Sequence, residues 1–277
     1  MPESTMNVYV VGTSRTIGYY AGLRLLHKGA TVTFLLHKPH VFDGDAAMQQ
    51  YINDGKARIV KGDALSREDV ARGWTAAAQD GPVDVLLCTV SITPNCLCTG
   101  SLLAVLSTLP RDQPGALPRI VVTTNMGTYT HPGLYGYSMD FACSHLYRFW
   151  DKMGAEFLLL RAQGRLEERN MGMADVLKRD WAATEGLCEE GALPELVNVR
   201  TPAVTDAEAP GARRGYTYTV HIGDAIRADS DAVRMGDVGH FIAERLLGGE
   251  WESCKGKTVS ILDVPRVADL CAFLNSI

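Results

Sequence analysis

The chain has 277 residues, 46% of them hydrophobic and 21% charged, which is enough to bury a substantial core and too apolar for disorder to dominate. A formal net charge of -5 with intermingled acids and bases leaves no electrostatic footprint for nucleic acid or an anionic membrane, so a small-molecule partner fits better. The polar start, Met1 to Met6, and the short apolar run Val8 to Val11 match neither a signal peptide nor a membrane span, and a cytoplasmic location is expected.

Short β-branched runs separated by helical stretches predict an α/β fold, a doubly wound parallel sheet of about seven strands near residues 7–12, 31–36, 57–61, 83–89, 119–124, 196–200 and 258–262. Between the first two, Ile17, Ala21, Leu25 and Tyr20, Leu23, Leu26 recur at helical spacing, with His27 and Lys28 in the last turn before Gly29, a C-cap signal. That is one βαβ unit. The span 140–191 reads as two helices broken near Gly164 or Gly172 and supplies material for a substrate-covering lobe, and Thr201 to Gly215 reads as a surface loop.

The strongest local signal follows the first strand: Gly12, Thr13, Ser14, Arg15, Thr16, Ile17 and Gly18 open the helix. Gly12 permits a tight turn and Gly18 lets the helix pack closely on the sheet, so a pyrophosphate can rest on the N–H groups of the helix start. The middle glycine of the usual pattern is missing. At the end of the second strand, where an acid would hold a ribose 2′-hydroxyl, the chain has His37 and Lys38. With Arg15 they suit a 2′-phosphate, which favours NADP(H) over NAD, unless Asp43 or Asp45 folds back as the acid. Asp63 and Ala64, in the turn after the third strand, fit a contact near the adenine, although Asp63 also reads as a turn-capping acid. The fourth-strand end, Thr89, Val90 and Ser91, with Thr93 to Asn95 behind it, is expected to border the nicotinamide, because ligands bind beyond the carboxyl ends of such strands.

The glycine turn, the Gly62-Asp63 turn, the segment Arg200 to Asp206 and the blocks Tyr218 to Val220 and Arg234 to Phe241 together resemble the atypical short-chain dehydrogenases, nearest the NmrA-like and biliverdin-IXβ-reductase (flavin reductase) branch. The resemblance runs over nearly the whole chain and implies a single NADP(H)-binding Rossmann domain, residues 1–277, with a small substrate lobe from about 140–191 and 201–257. It also implies reduction of planar conjugated substrates, whereas other members bind the dinucleotide as redox sensors and catalyse nothing. Thr124 stands where the family often has serine, and its hydroxyl is a candidate to contact substrate or nicotinamide. The family's usual tyrosine and lysine four residues apart are missing: Tyr135 is followed at that spacing by Met139 and Tyr137 by Phe141. Tyr135 and Tyr137 therefore stand as catalytic candidates beside a structural or stacking role, with Ser91 and Thr124 as positional candidates.

An extended conjugated acceptor spreads the incoming charge and can take its proton from water, so loss of the dyad favours a flavin or quinone over an isolated ketone. The expected function is an NADPH-dependent oxidoreductase; a dinucleotide-binding regulator, or an isomerase or cyclase on a Rossmann scaffold, stays open, as does a homodimer. No metal is expected, since His131, His145, His221 and His240 lack ligand spacing and His240 reads as buried or capping. Asp180, Trp181 and Glu185 read as one solvated helix, Arg213 and Arg214 as loop charges, and the seven cysteines as reduced, with only Cys96 and Cys98 suited to an exposed pair.

Overall fold

The computed structural model describes residues 5–12, 16–90, 97–110, 117–125, 151, 154–166, 177, 180–205, 218–223 and 232–263. Its centre is a sheet whose first strand, β1 (Asn7–Val11), sends alternate residues to opposite faces: Val8 and Val10 join one apolar cluster, Tyr9 and Val11 the other. Both faces are covered, which is why the strands read as continuous apolar runs. The other expected strands follow as β2 (Thr31–Leu36), β3 (Ala57–Lys61), β4 (Val85–Cys88), β5 (Arg119–Asn125), β6 (Val197–Thr201) and, at the end, β10 (Thr258–Asp263).

Three short strands were not expected from sequence: β7 (Ala203–Thr205), β8 (Tyr218–Ile222) and β9 (Ala232–Arg234). The large sheet runs β3-β2-β1-β4-β5-β6-β10-β8, parallel throughout except that β8 pairs antiparallel with β10 at the edge. The remaining pair, β7 with β9, is parallel and corrects the reading of Thr201 to Gly215 as loop throughout. Pro202, with no N–H to donate, separates β6 from β7, and three residues are too few for alternation to show. Residues 206–217 lie outside the described residues.

Helices cover the two faces. On one lies α1 (Ile17–His27), whose chain leaves through Lys28 into Gly29 at φ +88°, the left-handed cap its sequence announces. Beside it runs a helical stretch that starts at Met235–His240 and continues through Phe241–Glu250 into Trp251–Cys254. The two approach so closely that a Cβ at Gly239 would lie 2.6 Å from Tyr20 Cβ. The first of these faces also takes Met48 of α2 (Ala46–Asn53). The second is covered by α3 (Arg67–Ala77), α4 (Leu97–Ser107) and a helix over 154–163 that buries Ala155, Leu158, Leu159 and Ala162. That helix ends at Gly164, φ +74°, one of the two expected breaks; Gly172 lies outside the described residues. Parts of both stretches expected to form the lobe, 154–163 and 235–254, thus pack on the sheet itself.

Asp180, Trp181 and Glu185 do not share a helix. Asp180 stands before a single 3-10 turn, Trp181–Ala183, and Glu185 lies beyond it. The turn is pinned by its aromatic ring, since Trp181 meets Phe157 edge-on at 5.4 Å and Arg161 stacks 5.6 Å from the ring centre. Cys88, Cys188 and Cys254 are buried, Cys98 is half-buried, and Cys96 lies outside the described residues. Among the described residues no helix is long and apolar enough to cross a membrane.

His240 is half-buried and ties the edge strand to the helical layer, its Nδ1 lying 2.8 Å from Tyr218 Oη. Burial, and then the charge of Arg24, holds its imidazole below the ordinary value of 6.5. The unfolded chain therefore takes up this proton first as the pH falls, and the stability tied to the neutral ring is present above pH 6.5 and lost below it. NMR titration is expected to give a His240 pKa below 6.5, and a value above it would contradict the packing described.

Candidate active site

Between β1 and β4 the strand order reverses, because β1 leads through α1 to β2 on one side while β4 leads through α4 to β5 on the other. Ligands of open α/β sheets bind at such a reversal, beyond the carboxyl ends of the strands. Gly12 sits there at φ +92°, and a Cβ on it would lie 2.6 Å from both N and Cα of Val90. Its carbonyl accepts from two hydroxyls, Thr89 Oγ1 at 2.7 Å and Thr16 Oγ1 at 3.2 Å. Glycine is thus demanded twice, by the left-handed backbone and by the contact with the end of β4.

Thr16 stands at the N-cap of α1 yet turns its hydroxyl back to Gly12 rather than onto the helix, and the first turn holds no acid. Ile17 and Gly18 are buried in that turn. This is the arrangement in which an anionic group can use the helix start. Thr13, Ser14 and Arg15 lie outside the described residues.

At the next two strand ends, β2 and β3 stay paired to Leu36 and Lys61, and Gly62 N–H donates to Leu36 O. His37 and Lys38 follow β2 and are exposed. The two acids that might have folded back are engaged elsewhere: Asp45 caps α2 through Met48 N–H at 3.0 Å and accepts from Tyr19, and Asp43 pairs with His40 at 3.2 Å. Asp63 accepts from Leu65 N–H at 2.9 Å, and its own N–H donates to Asp69 at 2.7 Å, holding that carboxyl below the usual carboxylate range. Its carboxylate does cap a turn, as its sequence position allows, with Ala64 half-buried beside it.

A cavity enclosing about 720 Å³ of empty space, open solvent included, lies at the reversal, and Thr16, Thr89, Val90, Cys98, Thr124 and Thr201 are among its walls. It brings together the ends of β4, β5 and β6 with the starts of α1 and α4, whereas His37, Lys38, Asp63 and Ala64 stand outside its lining. Cys88 also lines it, but burial pushes that thiol up to about 12, so it stays protonated at neutral pH. The start of α4 is held by Asp151, whose two carboxylate oxygens accept from Cys98 and Thr99 N–H, each at 2.9 Å. Ser91, Tyr135 and Tyr137 lie outside the described residues.

Thr124 closes the far wall, and behind it lies a polar network that sequence reading missed. Its Oγ1 is 2.7 Å from Asn198 Oδ1 and 2.9 Å from Glu156 Oε1. Glu156 in turn accepts from Asn198 Nδ2 at 3.0 Å, from Arg200 Nε at 2.7 Å and, through Oε2, from Arg200 at 3.0 Å. Both charged side chains are withdrawn from solvent, at 1% and 0% exposure. The signal was an acid inside the apolar run 154–160 and two polar residues in a β-branched strand, each readable as a solvent-facing position.

No family model matches the chain, and no curated protein matches it. Solved structures do. One is a short-chain dehydrogenase/reductase of the wide type from Veillonella parvula DSM 2008 in complex with NADP, 10% identical over 94% of this chain and 95% of that one, TM-score 0.51. A second, from Serratia marcescens BCRC 10948, is 17% identical over 95% and 98%, TM-score 0.55. A short-chain dehydrogenase from Burkholderia cenocepacia J2315 in complex with NADP is 17% identical over 93% and 96%, TM-score 0.53. With its parallel order, its glycine turn at the reversal and these likenesses along nearly its full length, the chain has the fold of the short-chain dehydrogenase/reductases.

Proposed function

We propose that the chain is a cytoplasmic NADP(H)-dependent oxidoreductase, of the atypical kind, that reduces a planar conjugated small molecule such as a flavin or quinone. The observation that carries this is the pairing of the cavity at the Gly12 turn with a β2 end that offers His37 and Lys38 and no acid. The solved structures in complex with NADP share this fold and agree with that reading.

The residues present fit a dinucleotide phosphate. The uncapped first turn of α1 would take the pyrophosphate, with Gly12 keeping the turn tight, Thr13 and Ser14 as further proposed contacts, and Arg15, His37 and Lys38 for a 2′-phosphate. Asp63 and Ala64 are proposed near the adenine, and Thr89, Val90 and Ser91 beside the nicotinamide. Bound there, NADPH supplies a hydride, and the acceptor takes up that electron pair together with one proton from water. The protein's own part is to hold the acceptor against the apolar wall of Val90, Leu102, Val122 and Ala155 and to keep bulk water from the contact. Tyr135 and Tyr137 are proposed to touch the acceptor, and the expected lobe segments 140–191 and 201–257 to cover it.

Calorimetry is expected to show NADPH binding more tightly than NADH, and Lys38→Ala weakening NADPH by about 1–2 kcal/mol, the size of one charge-assisted hydrogen bond, while sparing NADH. Equal affinities in the parent protein would remove the 2′-phosphate from the account. NADPH consumption with flavin and quinone acceptors tests the reaction itself. Tight binding with no consumption would favour the dinucleotide-binding regulator.

A further inference from the structure

Five residues that line the cavity, Thr16, Thr89, Ser101, Thr124 and Thr201, turn their hydroxyl hydrogens inward. Thr16 and Thr89 both donate to Gly12 O, Ser101 to Cys98 O at 3.1 Å, and Thr201 to Thr124 O at 3.3 Å. The first amides of α4 are taken as well, by Asp151. Of these five residues, Thr16 and Thr124 are half-exposed.

Thr124 is the decisive case. A threonine has one hydrogen to give and two lone pairs. Its two protein neighbours, Glu156 Oε1 and Asn198 Oδ1, are both acceptors. Glu156, gripped by two Arg200 nitrogens, is a carboxylate and accepts on every side. That carboxylate also fixes the Asn198 amide, because turning it over would set its oxygen against Oε1 at the 3.0 Å now spanned by Nδ2. Whichever neighbour receives it, the Thr124 hydrogen stays inside the network. What Thr124 has left for a ligand is a lone pair.

We propose that Thr124 presents an acceptor to the cavity and is its specificity-determining residue, selecting ligands that present an N–H or O–H at the β5 end. Thr124 therefore does not polarise a substrate carbonyl or donate a proton to one. The inference deepens the proposed function and rests on it: among planar conjugated acceptors, a ring with an imide or lactam N–H is preferred over one whose edge holds only carbonyl oxygens.

The test pairs riboflavin with 3-methylriboflavin, which differ only at the imide nitrogen, N–H in one and N–CH3 in the other, on the intact chain saturated with NADP. Removing the hydrogen is expected to raise the Kd about tenfold or more, since the lost bond also leaves an acceptor buried without a partner. Thr124→Ser is expected to keep that discrimination and Thr124→Val to abolish it by weakening riboflavin alone. Equal affinities for the two flavins in the parent protein would overturn the proposal, as would Thr124→Val weakening both equally. The ligand pair needs no variant, so a Thr124→Val chain that fails to fold leaves the comparison intact. Failure of the broader function reads differently: NADPH would then neither bind nor be consumed with menadione, a quinone with no donor.

Discussion

Glu156→Gln is expected to destabilise the fold by about 3–5 kcal/mol, the range for breaking a buried ion pair from one side. The glutamine keeps the shape of the side chain and removes its charge, so the Arg200 guanidinium, at 0% exposure, loses the carboxylate that grips it twice. The same exchange offers an N–H to Asn198 Nδ2 or to Arg200, both donors, unless the amides rearrange. A chain with Glu156→Leu and Arg200→Leu together is expected to recover much of the loss, because no charge is then left buried alone. Denaturant midpoints of the parent, single and double variants measure it. A Glu156→Gln midpoint equal to the parent's would mean that the network does not hold β5, β6 and the 154–163 helix together.

Gly12→Val is expected to cost about 2–6 kcal/mol and to end dinucleotide binding. A β-branched residue at φ +92° is strained by about 1–3 kcal/mol, and its Cβ would meet Val90 backbone at 2.6 Å, an overpacking of about 1–3 kcal/mol more. The collision is with the end of β4, so the two strand ends must part or the turn must unwind. Either change moves Thr89, whose hydroxyl now holds the Gly12 carbonyl, and with it the floor of the cavity. Stability and NADPH affinity are thus lost together rather than in sequence. Unfolding curves and calorimetry on the same preparation check both, and a variant with the parent's midpoint and affinity would remove Gly12 from the site.

The sheet was legible because its strands are buried on both faces: Val8 to Val11, Phe34 to Leu36 and Val85 to Cys88 are continuous apolar runs. The helix cap at Gly29 and the glycine turn were legible for the same local reason, a backbone conformation that few residue types adopt. The network behind Thr124 was not. Its members come from β5, β6 and the 154–163 helix, and residues 124 and 198 are 74 positions apart, so no window of the sequence contains it. Asn198 and Arg200 alternate with Val197 and Val199 as a half-exposed strand would, and only the helix laid over them makes that face interior. Thr124 was singled out by position, but whether its hydroxyl gives or takes a hydrogen depends on partners that the sequence does not bring together. The short strands β7 and β9 escaped notice because three residues carry no period.

Hydride transfer at the reversal between β1 and β4, as proposed, is open to single-turnover kinetics. Protein saturated with NADPH is mixed without oxygen against oxidised riboflavin, following both chromophores, and the run is repeated with NADPH carrying deuterium at the transferred position. The account predicts that the dihydronicotinamide and the oxidised flavin disappear together, one for one, and that deuterium slows both. Flavin and NADPH that bind but persist unchanged, with either isotope, would contradict it.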